Sequence, residues 1–333
     1  MTTSSSLAPL VARTFFGLFS SIASSRLSIL IFHRVHSRPD ALFPHEMDAA
    51  RFDRLMRFVA RSFRVMTLGD AANRLAHGSL PSRALVITFD DGYADNAVVA
   101  LPILRQHGLP ATFFVSTGFL DGGRMWNDSV IECLRGTSRL TIDLEFAGLG
   151  KRAVNSMVER RQVIAALLSH IKYLSLAERE DAISRLQLAG GVRKLSSDLM
   201  MTSPQVCEMR RAGMEIGAHT VNHPILTALT AAQAEDEIAT GRDRLQSIID
   251  APVDLFAYPN GKPGRDYDHS HVELVRKLGF RAAVSTAPGV SQPGDDLLQL
   301  PRFTPWGDSL ATWSTRLLFN LRNTNYQMAT AIT

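Results

Sequence analysis

Ala84-Leu85-Val86-Ile87-Thr88-Phe89-Asp90-Asp91-Gly92-Tyr93 is the stretch from which the fold is read. A short run dominated by apolar and β-branched residues passes straight into two adjacent carboxylates and a glycine. A run apolar at nearly every position fits a strand buried on both faces, as in a parallel sheet, better than a half-exposed one. In barrel enzymes, strand ends of this kind carry the chemistry. Two neighbouring carboxylates repel each other unless a cation lies between them or one takes up a proton, so the pair points to divided roles. The plain alternative is a solvated Asp-Gly turn.

On either side, similar short runs recur at 27–32, ending at His33, at 111–115, at 215–218, ending at His219, at 255–258 and at 282–285. Helical spacing fills the intervals: Phe52, Leu55, Met56 and Val59 within 47–61, and a charged amphipathic stretch over 230–249. Gly108 with Pro110, and Gly279, read as helix stops before the next strand. This alternation predicts an α/β chain with a parallel sheet or barrel. Residues 121–200 break it, with amphipathic helices at 154–174 and 176–188 and no strong strand, and are read as an insertion. The expected organisation is an N-terminal helical segment over 1–25, a barrel over 26–308, and a C-terminal helix and tail over 309–333, whose last dozen residues fray.

Composition limits the function classes. The 333 residues are 45% hydrophobic and 20% charged with a formal net charge of +4, and the basic residues are dispersed, so no nucleic-acid track is expected. Cys133 and Cys207, 74 positions apart, form neither a disulfide framework nor a zinc ribbon. A metal must therefore be held by histidines and carboxylates. The apolar run 15–22 is too short to span a membrane, and Arg13 is its only preceding charge, which favours a cytoplasmic helix. A secretion signal or membrane-surface helix is the alternative, because Phe15, Phe16, Leu18 and Phe19 share part of one helical face.

His219-Thr220-Val221-Asn222-His223 follows its strand immediately and offers two imidazoles that can face one ion. It lacks the glutamate of the HExxH peptidase motif. Two histidines and one carboxylate make a three-ligand site with open positions, which assigns Asp91, His219 and His223 as ligands and leaves Asp90 as a base. A divalent ion can lower the pKa of a water to about 7, within reach of such a base.

Thr88-Phe89-Asp90-Asp91-Gly92, then His219 to His223, then Phe256-Ala257-Tyr258-Pro259-Asn260-Gly261 resemble, in that order, the polysaccharide deacetylases of the NodB-homology type, carbohydrate esterase family 4. The resemblance covers roughly residues 27–306 and implies a distorted (β/α)7 TIM-like barrel. It also implies Asp90 as base, with Asp91, His219 and His223 on zinc or on Co2+, Ni2+ or Fe2+. The family's late leucine-x-histidine strand is missing here, and no histidine follows His271. Instead, Ile29-Leu30-Ile31-Phe32-His33-Arg34-Val35-His36 resembles the opening of the circularly permuted members, including those acting on poly-N-acetylglucosamine, which makes His33 the matching acid. The arginine of the third family motif is not visible in 256–261, and Arg302 is the candidate for orienting Asp90. Tyr93, Tyr258 and Trp306, together with Trp126, are candidate substrate contacts.

The expected reaction is removal of N-acetyl groups from an exopolysaccharide or cell-envelope glycan, with peripheral membrane or polysaccharide-assembly association as a further expectation. Competing readings are deacylation of another ester or amide and a non-catalytic carbohydrate-binding protein. A glycosidase fits poorly, because its two carboxyl groups flank the scissile bond and do not stand side by side in sequence.

Overall fold

The computed structural model describes residues 25–305, 307 and 309–331, so the expected N-terminal helix and Trp306 lie outside the described residues. In chain order the barrel begins with β1 (Leu27–Phe32), α1 (Ala49–Ser62), β2 (Arg64–Val65), α2 (Leu68–Ala76) and β3 (Ala84–Phe89). It continues with a π-helical turn into α3 (Leu101–Gln106), then β4 (Thr112–Val115). The interruption comprises α4 (Trp126–Gly136), the hairpin β5 (Thr141–Asp143) and β6 (Lys151–Ala153), α5 (Met157–Ile171) and α6 (Leu176–Gly190). The chain then resumes with α7 (Ser203–Arg211), β7 (Glu215–Ala218), α8 (Ala231–Ile249), β8 (Leu255–Ala257), α9 (His269–Lys277), β9 (Ala282–Val284) and α10 (Leu310–Asn320).

The parallel order is β1-β3-β4-β7-β8-β9, with β2 beside β3. The gap between β9 and β1 is bridged by the segment 300–303. The N–H of Leu300 donates to Ala283 O and that of Ser285 to Leu300 O, both at 2.9 Å, while that of Phe303 donates to Ile29 O at 2.8 Å. This irregular stave closes the curled sheet into the distorted barrel.

Alternation along the strands sorts the side chains. Leu27, Ile29, Ala84, Val86, Phe114, Leu255, Ala257, Ala282 and Val284 form one cluster with Leu68, Ala71, Ala72 and Leu75 of α2. The intervening residues, among them Leu85, Ile87, Phe89, Phe113, Ile216 and Phe256, pack against Phe52, Leu55 and Val59 of α1 and the other outer helices. Thus β3 turns Ala84, Val86, Thr88 and then Asp90 to the first side, and its bulky residues to the helices. Local signals set the helices in register. Asp48 caps α1 by accepting the Arg51 N–H at 3.0 Å, and capping boxes start α5 at Ser156 and Glu159 and α8 at Thr230 and Gln233.

The interruption has its own apolar cluster, including Val130, Leu134, Ile142, Val163, Leu167 and Leu186. Its antiparallel hairpin adds two short strands to a stretch expected to hold no strong one. Three-residue strands with exposed Lys151, Arg152 and Ala153 carry too little apolar alternation to be legible. The tail also differs from expectation: Ala329 is buried, and its N–H donates to Gln299 Oε1 at 2.7 Å, so the chain stays docked beyond α10. No helix of the described residues is long and apolar enough to cross a membrane.

Candidate metal and active site

The strand ends converge as the alternation requires. Asp90 is 2% exposed, and both of its oxygens accept from the Arg302 guanidinium, Nη1 to Oδ1 at 2.6 Å and Nη2 to Oδ2 at 2.7 Å. Arg302 is carried by the closing stave and held by its Nε–H to Ser285 O at 2.8 Å. Burial pushes the Asp90 carboxyl up, but the positive charge of Arg302, then that of His219, and the hydrogen bonds outweigh it and leave it below the usual carboxylate range. Asp90 is therefore a fully formed carboxylate at neutral pH.

Asp91 turns the other way. Its φ of 75°, followed by 91° at Gly92, reverses the chain just past the strand, and a Cβ at Gly92 would stand 2.9 Å from Val115 Cγ1. The turn directs Asp91 towards His219 and His223, each of which places Nε2 at 3.4 Å from Asp91 Oδ1. His219 is fixed through its other nitrogen, with Nδ1 at 2.7 Å from Ala257 O. The loop carrying the histidines is clamped from α8, where the Glu237 carboxylate accepts the N–H groups of Val221 at 3.0 Å and Asn222 at 2.8 Å. Thr220 and His223 have φ of 65° and 51°, and Gly241 of α8 lets the loop approach, since a Cβ there would meet the Thr220 carbonyl carbon at 2.8 Å.

This donor set fits a divalent cation. Separations of 3.4 Å are too long for good hydrogen bonds, yet are the spacing of donors sharing one ion at about 2.0–2.1 Å. Asp91 Oδ1 is buried without a hydrogen-bond partner. Burial lowers the His223 pKa to about 4, so that ring is neutral, as a ligand must be. Burial raises Asp91, but the close His219 imidazole and the other imidazoles around the site outweigh it and keep the group ionised. The His219 contact to a backbone carbonyl orients Nε2 towards the ion; burial lowers this ring's pKa, but Asp91 and Asp90 hold it above the usual imidazole value, so an ion binding there displaces a proton.

His33 follows β1 with an exposed side chain and lines the cleft beside Asp90 and Asp91; its main-chain carbonyl accepts the Asn96 side-chain N–H at 2.9 Å. The cleft has a volume of about 340 Å³, and Met125, Trp126, Asn127, Leu168 and Lys172 of the interruption form its far wall. Tyr93 is buried with Met125 and Met200 beneath the Arg34 guanidinium, lining an adjoining cavity of about 290 Å³. Tyr258 is in the core, not in the cleft. It is 0% exposed and stacked on Tyr267 at 3.8 Å, because the alternation that turns Ala257 inward sends Phe256 and Tyr258 towards the helices. Trp126 reaches the cleft with its ring under the Arg179 guanidinium at 4.9 Å. Asn260, quoted within the third motif but given no role, lines the cleft, and the sequence reading missed Glu237, Thr286 and Lys172. Only Glu237 left a trace, as one of the charges on α8, and nothing in its spacing singled it out.

Residues 77–283 match the sequence model of a family described as polysaccharide deacetylase. YxkH of Bacillus subtilis (strain 168), a protein named for the same family, is 21% identical over 280 residues, covering 84% of this chain and 71% of its own. Among solved structures, the Streptococcus pyogenes deacetylase PplD in complex with acetate superposes with a TM-score of 0.58 at 18% identity, covering 89% of this chain and 98% of that one. IcaB from Ammonifex degensii does so with a TM-score of 0.57 at 19% identity, covering 90% and 97%.

Proposed function

The chain belongs to the polysaccharide deacetylase family, and we propose that it hydrolyses N-acetyl groups on the amino sugars of an oligo- or polysaccharide, with a divalent ion held by Asp91, His219 and His223. The observation that carries this reading is the division of labour between neighbouring carboxylates: Asp90 is locked to Arg302, while Asp91 faces the two imidazoles. A glycan-binding protein has no use for that division, which is what metal-assisted hydrolysis requires.

An ion in the three-residue site supplies Lewis acidity, polarising the acyl carbonyl and lowering the pKa of a nearby water to about 7. Asp90 accepts the proton of the attacking water, and Arg302 holds the carboxylate in place as it does so. Attack on the acyl carbon gives a tetrahedral species. His33, open to the cleft, donates a proton to the departing nitrogen, the C–N bond breaks, and acetate and a free amine leave. Two nitrogen donors and one carboxylate suit Zn2+, with Co2+, Ni2+ or Fe2+ as substitutes. An exopolysaccharide or envelope glycan is the proposed substrate.

The test is free acetate released from N-acetylglucosamine oligomers by metal-reconstituted protein. Release that depends on the ion and is lost in Asp90→Asn and His219→Ala supports the reading. A folded, ion-loaded protein that releases no acetate from any N-acetylated glycan sinks it.

A further inference from the structure

Resting on the deacetylase reading, we propose that the cleft extends past Thr286 onto a cationic rim that binds oxyanion groups of the substrate, so that the glycan is acidic, with carboxylate- or phosphate-bearing sugars near the N-acetyl sugar that reacts. Thr286 lines both the catalytic cleft and a neighbouring cavity of about 410 Å³. Lys262 and Arg265 line that second cavity, and no carboxylate does. Lys172, at the end of α5, lines the catalytic cleft from the opposite wall.

Tyr173 joins the two sides. It is 52% exposed, its hydroxyl accepts from the Arg265 guanidinium, and its ring lies 5.5 Å from Arg265 Cζ and 5.8 Å from Lys172 Nζ. An exposed aromatic ring with two cations against it suits a sugar that carries a negative charge. None of Lys172, Lys262 and Arg265 has a carboxylate within 4.0 Å among the described residues, so their charge is not cancelled locally. The carboxylate nearest in sequence, Asp266, is fully buried and accepts the Lys262 main-chain N–H at 3.1 Å, beneath the loop and not on the cavity wall. Lys262 and Arg265 line the second cavity and not the catalytic cleft. The anionic sugar is therefore a neighbour of the reacting one, seated on the rim.

The experiment compares three oligomers of equal length: neutral N-acetylglucosamine, N-acetylhexosamine alternating with uronic acid, and N-acetylglucosamine bearing 6-phosphate. Binding is measured by calorimetry on ion-loaded Asp90→Asn protein, and acetate release on wild type. The acidic oligomers are expected to bind about tenfold tighter than the neutral one at low salt, and to lose most of that preference near 0.3 M salt, where the Debye length is only a few ångströms. Combining Lys172→Ala, Lys262→Ala and Arg265→Ala is expected to remove the preference, and Lys262→Glu alone to cut it several-fold. Lys151→Ala, on the exposed hairpin, is expected to leave it as in wild type. Uronate and phosphate arms that differ identify which oxyanion the rim takes.

Equal binding of neutral and acidic oligomers, a preference insensitive to salt, or variants that weaken all three alike would overturn the proposal. Acidic oligomers that bind preferentially to a protein releasing no acetate would leave the rim standing and remove the deacetylase reading instead.

Discussion

At Asp90 both carboxylate oxygens are taken by one guanidinium, at 2.6 and 2.7 Å, inside a site almost closed to water. Such a pair contributes little net stability while intact but costs about 3–5 kcal/mol when one partner is removed. Arg302→Ala is therefore expected to lower unfolding stability by that order in denaturant titrations. Arg302→Lys keeps the charge but loses the fork, and should fold while losing about 10- to 100-fold in kcat with a smaller change in KM. Asp128 gives a pH prediction. Burial raises its pKa from 3.8 to about 7 against the opposing charge of Arg34, and its Oδ2 has no partner. Between those values the folded protein holds a proton that the unfolded chain has released, so stability falls as pH rises through this window. Asp128→Asn should match wild type near pH 4 and exceed it by a few kcal/mol, on the order of the linkage free energy, at pH 8, as read from melting of chelator-treated protein. A wild-type curve flat from pH 4 to 8 would refute this.

Among the elements, α8 acts on the site without touching it, through Glu237 and the close pass at Gly241. Glu237→Gln leaves the helix intact but weakens its hold on the histidine loop, and is expected to lower metal affinity about 10- to 100-fold in competition with a chromophoric chelator. Unchanged affinity would show that the loop holds its shape unaided. The limits of sequence reading are clearest at this scale. Strands running into Asp90, His33 and His219 were legible because apolar runs ending in charge are rare, and Arg302 emerged because the expected arginine was missing upstream. Tyr258 was misplaced because a motif position does not say which way the residue just past a strand turns. The clamp on the histidine loop was invisible because its glutamate lies 14 residues beyond His223 on a helix of ordinary composition.

For the molecule as a whole, an ion bound only by the folded state adds stability in proportion to the logarithm of its concentration. Zinc at about 1,000 times its dissociation constant should add about 4 kcal/mol and raise the melting temperature, with chelator reversing the gain. His219→Ala should abolish this response. No zinc-dependent shift in wild type would mean that the three-residue site does not hold the ion. The wall of the cleft built from 121–200 has its own apolar cluster and joins the barrel at its rim, so Trp126→Ala should alter substrate affinity more than global stability.

The closing stave also bears on how the protein comes into being. β1 pairs with β3 on one side and, on the other, with Ser291 at Leu27 and with Phe303 at Ile29 and Ile31, so the seam joins the start of the described chain to segments about 260 to 270 residues later. During synthesis the ion ligands Asp91, His219 and His223 all emerge before Arg302 does. Until it arrives, Asp90 lacks its guanidinium partner, and the seam between β1 and β9 stays open, which is when pairing with another chain threatens most. A ribosome-bound chain stalled short of residue 300 should be protease-sensitive and catalytically silent, and the last stave should convert it in one cooperative step.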